Sequence, residues 1–146
     1  MNSLSTTLPG TWRLLSRIVY SATGERRSDP AEDTDHLALL YYDRSDNFAA
    51  QFMKRDRSGP VAEAPASAPN NSRSVGGYDA YFGTYTINEA DGSVTQRLAG
   101  ALSPENVGLV VTRRMTVEGD TLIVRVDTTS PQGEPVVRTL TWQRAG

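Results

Sequence analysis

The sequence predicts an all-β protein, an eight-stranded antiparallel up-and-down β-barrel with a long loop or short helix between strands three and four. Three observations carry this prediction. Apolar and polar residues alternate at period two through most of the chain, whereas helical periodicity is scarce. Tight-turn sequences such as Asp91-Gly92 separate the alternating runs. Strands joined in order leave no exposed sheet edge when the sheet closes into a barrel.

A chain of 146 residues can bury one core, so we predict one domain over residues 1–146. Turn-forming residues bound each alternating run. The predicted strands cover residues 11–21, 36–42, 48–55, 83–88, 93–102, 108–117, 121–128 and 135–144. Period-two alternation places five residues of the first strand on one face, namely Trp12, Leu14, Ser16, Ile18 and Tyr20. The first and last strands are predicted to pair, which closes the barrel.

The connections between these strands alternate between long or medium loops and short turns. In an up-and-down barrel, alternate connections lie at the same end. We therefore predict one tightly turned end and one end that carries the longer loops. The longest connection, over residues 55–77, is rich in Pro, Ala, Ser, Asn and Gly, and we expect a flexible loop that acts as a lid.

Charge and hydropathy exclude several classes of partner. The net charge is −2, and the basic residues are dispersed, whereas nucleic-acid binding needs a concentrated basic face. No apolar stretch reaches the about 18 residues that a membrane span requires. The first seven residues lack the apolar core of a signal peptide. We expect a cytoplasmic protein that binds neither nucleic acid nor membrane.

The residue types also limit the chemistry. The chain has no cysteine and one histidine, His36, so neither a thiolate site nor a multi-histidine metal site can form. It contains neither GxGxxG nor a P-loop sequence, which would cradle the phosphates of a nucleotide. The sequence therefore predicts no metal and no cofactor.

Several motifs, taken in order, resemble known families. The run from Pro9 to Leu14 resembles the Gly-x-Trp strand of the lipocalin and calycin superfamily. The chain as a whole is similar to the bacterial and fungal lipocalin-like domain family. The residues that carry this similarity are Tyr81-Phe82-Gly83-Thr84-Tyr85, Val94-Thr95-Gln96, Gly108, Arg113, Met115, Gly119-Asp120, Leu122 and Leu140-Thr141-Trp142-Gln143-Arg144.

The resemblance implies an eight-stranded barrel with a central cavity for a small, mainly apolar molecule. Some lipocalin-like proteins act as isomerases, cyclases or dehydratases without a cofactor. The resemblance also implies that Arg144 of the last strand lies over Trp12 of the first, a cation–π contact that forms the structural floor of the barrel. Family sequences often have a histidine where this chain has Gln96, so any acid–base role of that histidine does not carry over.

Polar residues on apolar strand faces are candidate ligand contacts. Arg113 alternates with apolar residues of strand six, and a buried guanidinium needs a carboxylate partner or an anionic ligand group. A structural salt bridge is the equal alternative. Gln96 could orient a ligand carbonyl or satisfy a neighbouring hydroxyl. The full predicted set of ligand contacts is Tyr41, Phe52, Tyr85, Gln96, Arg113 and Met115.

Three residues are candidates for acid–base catalysis. Asp79 and Tyr81 lie where the long loop enters strand four, and burial can shift their pKa values into a catalytic range. His36 begins strand two after acidic residues and could act as a base. Ordinary packing of aromatic residues, and local pairing of an exposed histidine, are the alternatives.

Two functions follow, from different classes. The leading hypothesis is a barrel that binds a small hydrophobic or amphipathic molecule, with a polar or anionic end near Arg113 or Gln96. The rival is a cofactor-independent isomerase, cyclase or lyase that acts on a small secondary metabolite, in which Arg113 stabilises negative charge. A packed barrel whose rim binds protein is a third alternative, and a homodimer stays open.

Overall fold

Antiparallel strands make up most of the chain. The computed structural model describes residues 3–27, 36–58, 75–130 and 132–146. Within these residues, a short helix, α1 (Leu4–Thr7), precedes nine strands. The strands are β1 (Gly10–Ser21), β2 (Arg26–Arg27), β3 (His36–Tyr42), β4 (Asn47–Lys54), β5 (Tyr78–Asn88), β6 (Ser93–Ala101), β7 (Val110–Glu118), β8 (Thr121–Thr129) and β9 (Pro135–Arg144). A 3₁₀ turn, Pro104–Asn106, lies between β6 and β7.

The eight long strands close into one barrel. From β3 onward each strand pairs antiparallel with the next, and β1 pairs with both β3 and β9. The β1–β9 ladder runs from Trp12↔Arg144 to Ser21↔Val136. The two-residue strand β2 only extends the sheet beside the end of β1. This closure confirms the predicted eight-stranded up-and-down barrel and the predicted pairing of its first and last strands.

The two ends of the barrel differ, and we name them by their connections. The floor is the end with the turns 43–46, 89–92 and 119–120. The mouth is the opposite end, where β1, β4, β6 and β8 finish. The short turns therefore share one end, as the alternation of loop lengths predicts. The predicted lid or short helix within 55–77 falls mostly outside the described residues, because 59–74 are not among them.

The N-terminal segment packs across the floor. Leu8 and Trp12 are completely buried, and the Trp12 Nε1–H donates to the Leu8 carbonyl oxygen at 2.9 Å. Helix α1 is held by Glu89 of the β5–β6 turn, whose carboxylate accepts hydrogen bonds from the Leu4 amide at 2.8 Å and from the Ser5 hydroxyl at 3.0 Å. This end of the core is therefore closed by contacts of the N-terminal segment with Trp12 and with the β5–β6 turn.

A β-bulge changes the inner face of β1. Its ladder partners shift between Leu14 and Ser16, and Leu15 between them is 58% exposed. Since a bulge inserts one residue, it reverses the alternation for the rest of the strand. The residues on the inner face beyond the bulge are Arg17, Val19 and Ser21. The sequence prediction is therefore wrong for the three residues expected to continue the face of Trp12, namely Ser16, Ile18 and Tyr20.

A second irregularity lies between β5 and β6. The ladder skips one residue between Phe82 and Gly83, and here the backbones approach closely. A Cβ atom on Gly83 would lie 1.7 Å from the Arg97 carbonyl oxygen, so only glycine fits. Strand β5 also begins at Tyr78, five residues before the predicted start, because its first half pairs with β4. Asp79 and Tyr81 are consequently strand residues rather than loop residues.

Among the described residues, none of the helical segments is long and apolar enough to cross a membrane.

Candidate functional site

Polar and charged side chains lie on the inner face of an otherwise apolar barrel. We name two groups among them. The phenol cluster consists of Tyr42, Tyr81, Gln96 and Arg113. The arginine cluster consists of Arg17, Thr128 and Arg138. Apart from Arg17, which is partly buried, all of these residues are at most 8% exposed.

Arg113 is the centre of the phenol cluster. It lies between Val111 and Met115 on the inner face of β7 and is 6% exposed. Burial lowers the pKa of its guanidinium, because the charged form loses its hydration, while the neighbouring Tyr81 and Tyr42 phenols partly oppose that shift. Its Nη1 also donates to the Thr112 carbonyl oxygen at 3.3 Å. The barrel therefore holds a cation beside two phenol groups.

Tyr42 and Gln96 are joined by a hydrogen bond across the interior. The Tyr42 hydroxyl donates to Oε1 of Gln96, and both side chains are buried. Burial raises the pKa of Tyr42 well above its usual value of 10.0, so the phenol stays neutral at physiological pH. The contact corresponds to one of the two roles predicted for Gln96, that of satisfying a neighbouring hydroxyl.

The barrel wall carries a continuous row of aromatic rings. Successive ring centroids are 4.9 to 6.4 Å apart, which is the range of edge-to-face and offset-stacked pairs. The members of this aromatic row, in order, are Tyr85, Tyr42, Phe48, Tyr81, Phe52 and Trp142. At its end, Trp142 is 1% exposed, and its buried Nε1–H has no hydrogen-bond acceptor among the described residues.

The arginine cluster spans β1, β8 and β9. Arg17 pairs with Leu140 and Val19 pairs with Arg138, so the two arginines are diagonal neighbours on the inner wall. The Arg17 guanidinium carbon lies 5.8 Å from the Phe52 ring centroid, and its charge adds to the lowering of the Arg113 pKa. The two groups are therefore in electrostatic contact.

Sequence reasoning missed both arginines of this cluster, for different reasons. Arg138 is two residues before Leu140 on the inner face of β9, so period-two alternation carried a signal that could have identified it. Arg17 faces inward only because of the bulge at Leu15, and no turn-forming residue in the sequence marks that bulge. Strict alternation assigns Arg17 to the outer face.

The structure brings two of the three predicted acid–base residues together. Asp79 and Tyr81 are neighbours on the inner face of β5 and are 6% and 7% exposed. Asp79 is the one carboxylate among the buried residues that the structure describes. His36 is half-buried at the first position of β3, two strands away from β5, at the mouth.

Of the six predicted ligand contacts, five face the interior and one, Tyr41, does not. Phe52 and Met115 face the interior, as do Gln96 and Arg113. Tyr85 also faces inward, but its hydroxyl donates to the Asp43 carbonyl oxygen at 2.6 Å, in a turn of the floor.

Tyr41 is a correction. The sequence predicts that Tyr41 is a ligand contact, yet it is 36% exposed on the outer face, because its neighbours Leu40 and Tyr42 occupy the inner face of β3.

At the floor, the predicted contact between Arg144 and Trp12 is present. The Arg144 guanidinium carbon lies 4.3 Å from the Trp12 ring centroid. Its nitrogens donate to the Pro9 carbonyl oxygen at 3.1 Å and to the Thr7 carbonyl oxygen at 2.6 Å. A Cβ atom on Gly10 would lie 2.7 Å from Nη1 of Arg144, so the glycine of the Gly-x-Trp run leaves room for this arginine.

The described residues contain no group of three or more histidine, aspartate or glutamate side chains placed to hold a metal ion. The polar groups of the interior are mainly hydrogen-bond donors and cations. Guanidinium groups and phenols lie beside aromatic and aliphatic walls, a combination suited to an amphipathic anion.

Comparison with known proteins agrees with the barrel geometry. A family model described as a lipocalin-like domain matches residues 9–145, which is nearly the whole chain. No curated protein matches the sequence. Since the matched region includes the Gly-x-Trp strand, every strand of the barrel and the closing strand β9, the chain belongs to the lipocalin-like domain family.

Proposed function

We propose that the barrel binds a small hydrophobic or amphipathic molecule whose anionic group lies at Arg113. The observation that carries this proposal is the buried guanidinium of Arg113. It lies on the inner wall between Val111 and Met115 and beside the phenols of Tyr42 and Tyr81. A fold of the lipocalin-like family is consistent with small-molecule binding.

The energetics favour an anion at this position. Removing a guanidinium from water costs several kcal/mol unless opposite charge or hydrogen-bond acceptors replace its hydration. Phenol oxygens supply acceptors but little charge while the phenols stay neutral, and burial keeps Tyr42 neutral. A carboxylate would supply charge and two acceptor oxygens in the geometry that arginine prefers. The aromatic row would contact the apolar part of the molecule.

The test is the variant Arg113→Met with a matched pair of probes, dodecanoate and its uncharged methyl ester. Methionine keeps the apolar volume and removes the charge. We expect the affinity for dodecanoate to fall at least about tenfold, and the affinity for the ester to change less than about twofold, in calorimetric titrations. Arg97→Met is the control, since it removes the same charge from an exposed position of β6. Unchanged dodecanoate affinity in Arg113→Met would count against this site.

Native mass spectrometry of the protein as purified adds a second measurement. A binder is expected to retain a molecule of defined mass that dissociates on denaturation. The same spectra report the number of chains per particle, which tests the open alternative of a homodimer. The cytoplasmic location expected from the sequence stays a prediction.

Catalysis is the second candidate, and the placement of Asp79 and Tyr81 favours it. Their side chains lie two residues apart on the buried face of β5, and Tyr81 contacts Arg113 electrostatically. In a cofactor-independent isomerisation, the Asp79 carboxylate would remove a proton beside a carbonyl group. Arg113 would stabilise the enolate oxygen, and the protonated Asp79 would return the proton to the far carbon of a double bond conjugated with the enolate. If the Tyr81 phenol donates instead, the proton held by Asp79 restores that phenol.

Hydrogen–deuterium exchange separates this candidate from simple binding. The probe is 2-tetralone, whose protons beside the carbonyl group exchange slowly with D₂O and are followed by NMR. Catalysis predicts faster exchange with the native protein and loss of that acceleration in Asp79→Asn. Exchange no faster than in buffer would leave binding as the function. His36→Gln tests the remaining acid–base prediction in the same assay.

A further inference from the structure

We propose that the protein forms a homodimer through one side of the barrel, the outer surface of β3, β4 and β5. We name this surface the apolar face and define it as the outward-facing residues of segments 37–41, 49–53 and 78–82. These side chains point away from the barrel interior. The proposal is therefore independent of the proposed ligand site.

The sheet register joins the apolar face into one continuous surface. Tyr41 of β3 pairs with Ala49 of β4, and Ala49 pairs with Phe82 of β5. The two neighbouring rows, which begin at Leu39 and Leu37, cross the same three strands in the same register. Side chains opposite each other on adjacent strands are about 5 Å apart, so these rows are in contact range.

The apolar face differs in charge from another part of the outer surface. None of the outward positions of β3, β4 and β5, which the structure describes in full, carries a charged residue. The outer face of β7 and β8 has four charged residues, Arg114, Glu118, Arg125 and Asp127, and Arg114 and Asp127 form an ion pair at 2.9 Å. Since both surfaces belong to one barrel, the fold does not itself require an uncharged outer wall.

Large side chains of the apolar face are open to solvent. Phe82 is 58% exposed, Leu37 44% and Tyr41 36%. The Phe82 ring covers Gly100 of β6, where a Cβ atom would collide with the ring. The ring therefore lies along the sheet and keeps the surface flat, which favours packing against a second flat surface.

The area of the apolar face matches the core of a small interface. From the exposed fractions, its accessible area is roughly 500–600 Å², near the upper limit for the largest apolar patch of a monomer. A standard interface covers about 800 Å² on each partner, so polar residues around the face would form the rim. We expect a dissociation constant of about 1–100 μM, as suits an interface at the small end of the range.

A second copy of this chain is the partner that fits such a surface. Interfaces of homodimers are more apolar than those between different proteins, and their cores are poor in charge and rich in aromatic residues. Charge complementarity, which helps to select a partner of different sequence, has no charged groups to act on within the apolar face. Two identical sheet faces can pack around a twofold axis with their strands about 30° apart.

Sedimentation velocity tests dimerisation at protein concentrations from about 1 to 200 μM. We expect the native protein to convert from monomer to dimer within this range. The dissociation constant should rise less than about threefold between 0.1 and 1 M salt, because apolar contacts are not screened by ions. A native protein that stays monomeric at the highest concentration would overturn the proposal.

Two variants assign the dimer to the apolar face. Phe82→Lys and Leu37→Lys each place a charge where the interface would bury it, so we expect the dissociation constant to rise at least about tenfold. Thr116→Lys adds the same charge at an exposed position of β7 and should change the dissociation constant less than about twofold. Thermal unfolding establishes that each variant is folded. Leu37→Lys keeps the test valid if loss of the Phe82 ring from Gly100 unfolds the barrel.

The comparison of these variants decides the location of the interface. Native dimerisation in a folded Phe82→Lys or Leu37→Lys variant would place the interface elsewhere and overturn the proposal. An equal loss in Thr116→Lys would show a general effect of added charge and would also overturn it. Loss in the two face variants with retention in Thr116→Lys supports the apolar face.

Discussion

The floor and the inner wall of the barrel use arginine in opposite ways. At the floor, Arg144 lies over Trp12 and donates to the Thr7 and Pro9 carbonyl oxygens, with its side chain 28% exposed. On the inner wall, Arg113 is buried beside phenols, and burial lowers its pKa. The first arginine keeps water and backbone acceptors within reach, whereas the second has exchanged most of its hydration for side chains of the barrel.

We expect substitutions of these two arginines to affect different measured quantities. A partly exposed guanidinium on an aromatic ring adds modest stability, about 0.5–1 kcal/mol. A buried guanidinium decreases stability unless opposite charge balances it, and proteins retain such groups mainly at sites that bind or react. We therefore expect substitutions at the floor to change the free energy of unfolding, and substitutions on the inner wall to change ligand affinity.

The largest expected effect is that of Trp12→Ala. This substitution removes a completely buried ring together with its contacts to Arg144 and Leu8. We expect the free energy of unfolding to fall by about 3–5 kcal/mol in urea titrations, with Trp142 as the remaining fluorescence reporter. Affinity for dodecanoate should change less than about threefold in conditions where the variant is folded. A parallel loss of affinity would show that the floor contributes to the binding site.

Arg113→Met should lower the affinity for dodecanoate without lowering the free energy of unfolding. Because burial penalises the charge of Arg113, methionine should leave the free energy of unfolding unchanged or raise it by about 1–2 kcal/mol. The same urea titration measures this, and Arg97→Met is the matched surface control. A loss of more than about 2 kcal/mol would identify Arg113 as half of a structural ion pair, the alternative that the sequence left open.

The contrast also explains which parts of the molecule could be predicted from sequence. The floor could be predicted because the Gly-x-Trp run and the final Arg144 resemble the lipocalin-like pattern, which implies their contact although they lie at opposite ends of the chain. Alternation correctly assigned Gln96 and Arg113 to the inner face, because β6 and β7 keep a regular ladder through these positions. Strand order and the sharing of one end by the short turns followed from chain connectivity.

Two other assignments, that of Arg17 to the inner wall and that of Tyr42 rather than Tyr41, could not be predicted in the same way. Arg17 depends on the bulge at Leu15, which arises from the closure of β1 against β9, a contact between the two ends of the chain. Tyr41 and Tyr42 are adjacent aromatic residues, so hydrophobicity alone does not indicate which of the two faces inward. Pairing of Tyr42 with Gly10 and Phe48 settles the register, and one residue of slip would exchange the two tyrosines.

A smaller effect is expected for Arg144→Met. The substitution removes the cation from the face of Trp12 and two hydrogen bonds to backbone carbonyls that water can partly replace. We expect a loss of about 1 kcal/mol in the free energy of unfolding. The free energy of unfolding of Arg144→Lys should lie between those of Arg144→Met and the native protein. Lysine supplies a charge, but not the planar guanidinium that donates to two carbonyl groups. Full retention of stability in Arg144→Met would assign closure of the floor to Leu8 and Trp12 alone.

The smallest effect appears at high pH and depends on Tyr42. Because burial raises its folded-state pKa above 10.0, the unfolded chain loses the phenol proton first as the pH rises. The contribution of Tyr42 to stability is therefore fully present below pH 10 and decreases above it, by at most about 1.4 kcal/mol per pH unit. The difference in the free energy of unfolding between the native protein and Tyr42→Phe should be constant from pH 7 to 9 and should shrink between pH 10 and 11. A constant difference up to pH 11 would mean that Tyr42 ionises as readily in the folded barrel as in the unfolded chain, and would contradict a dry interior beside Gln96 and Arg113.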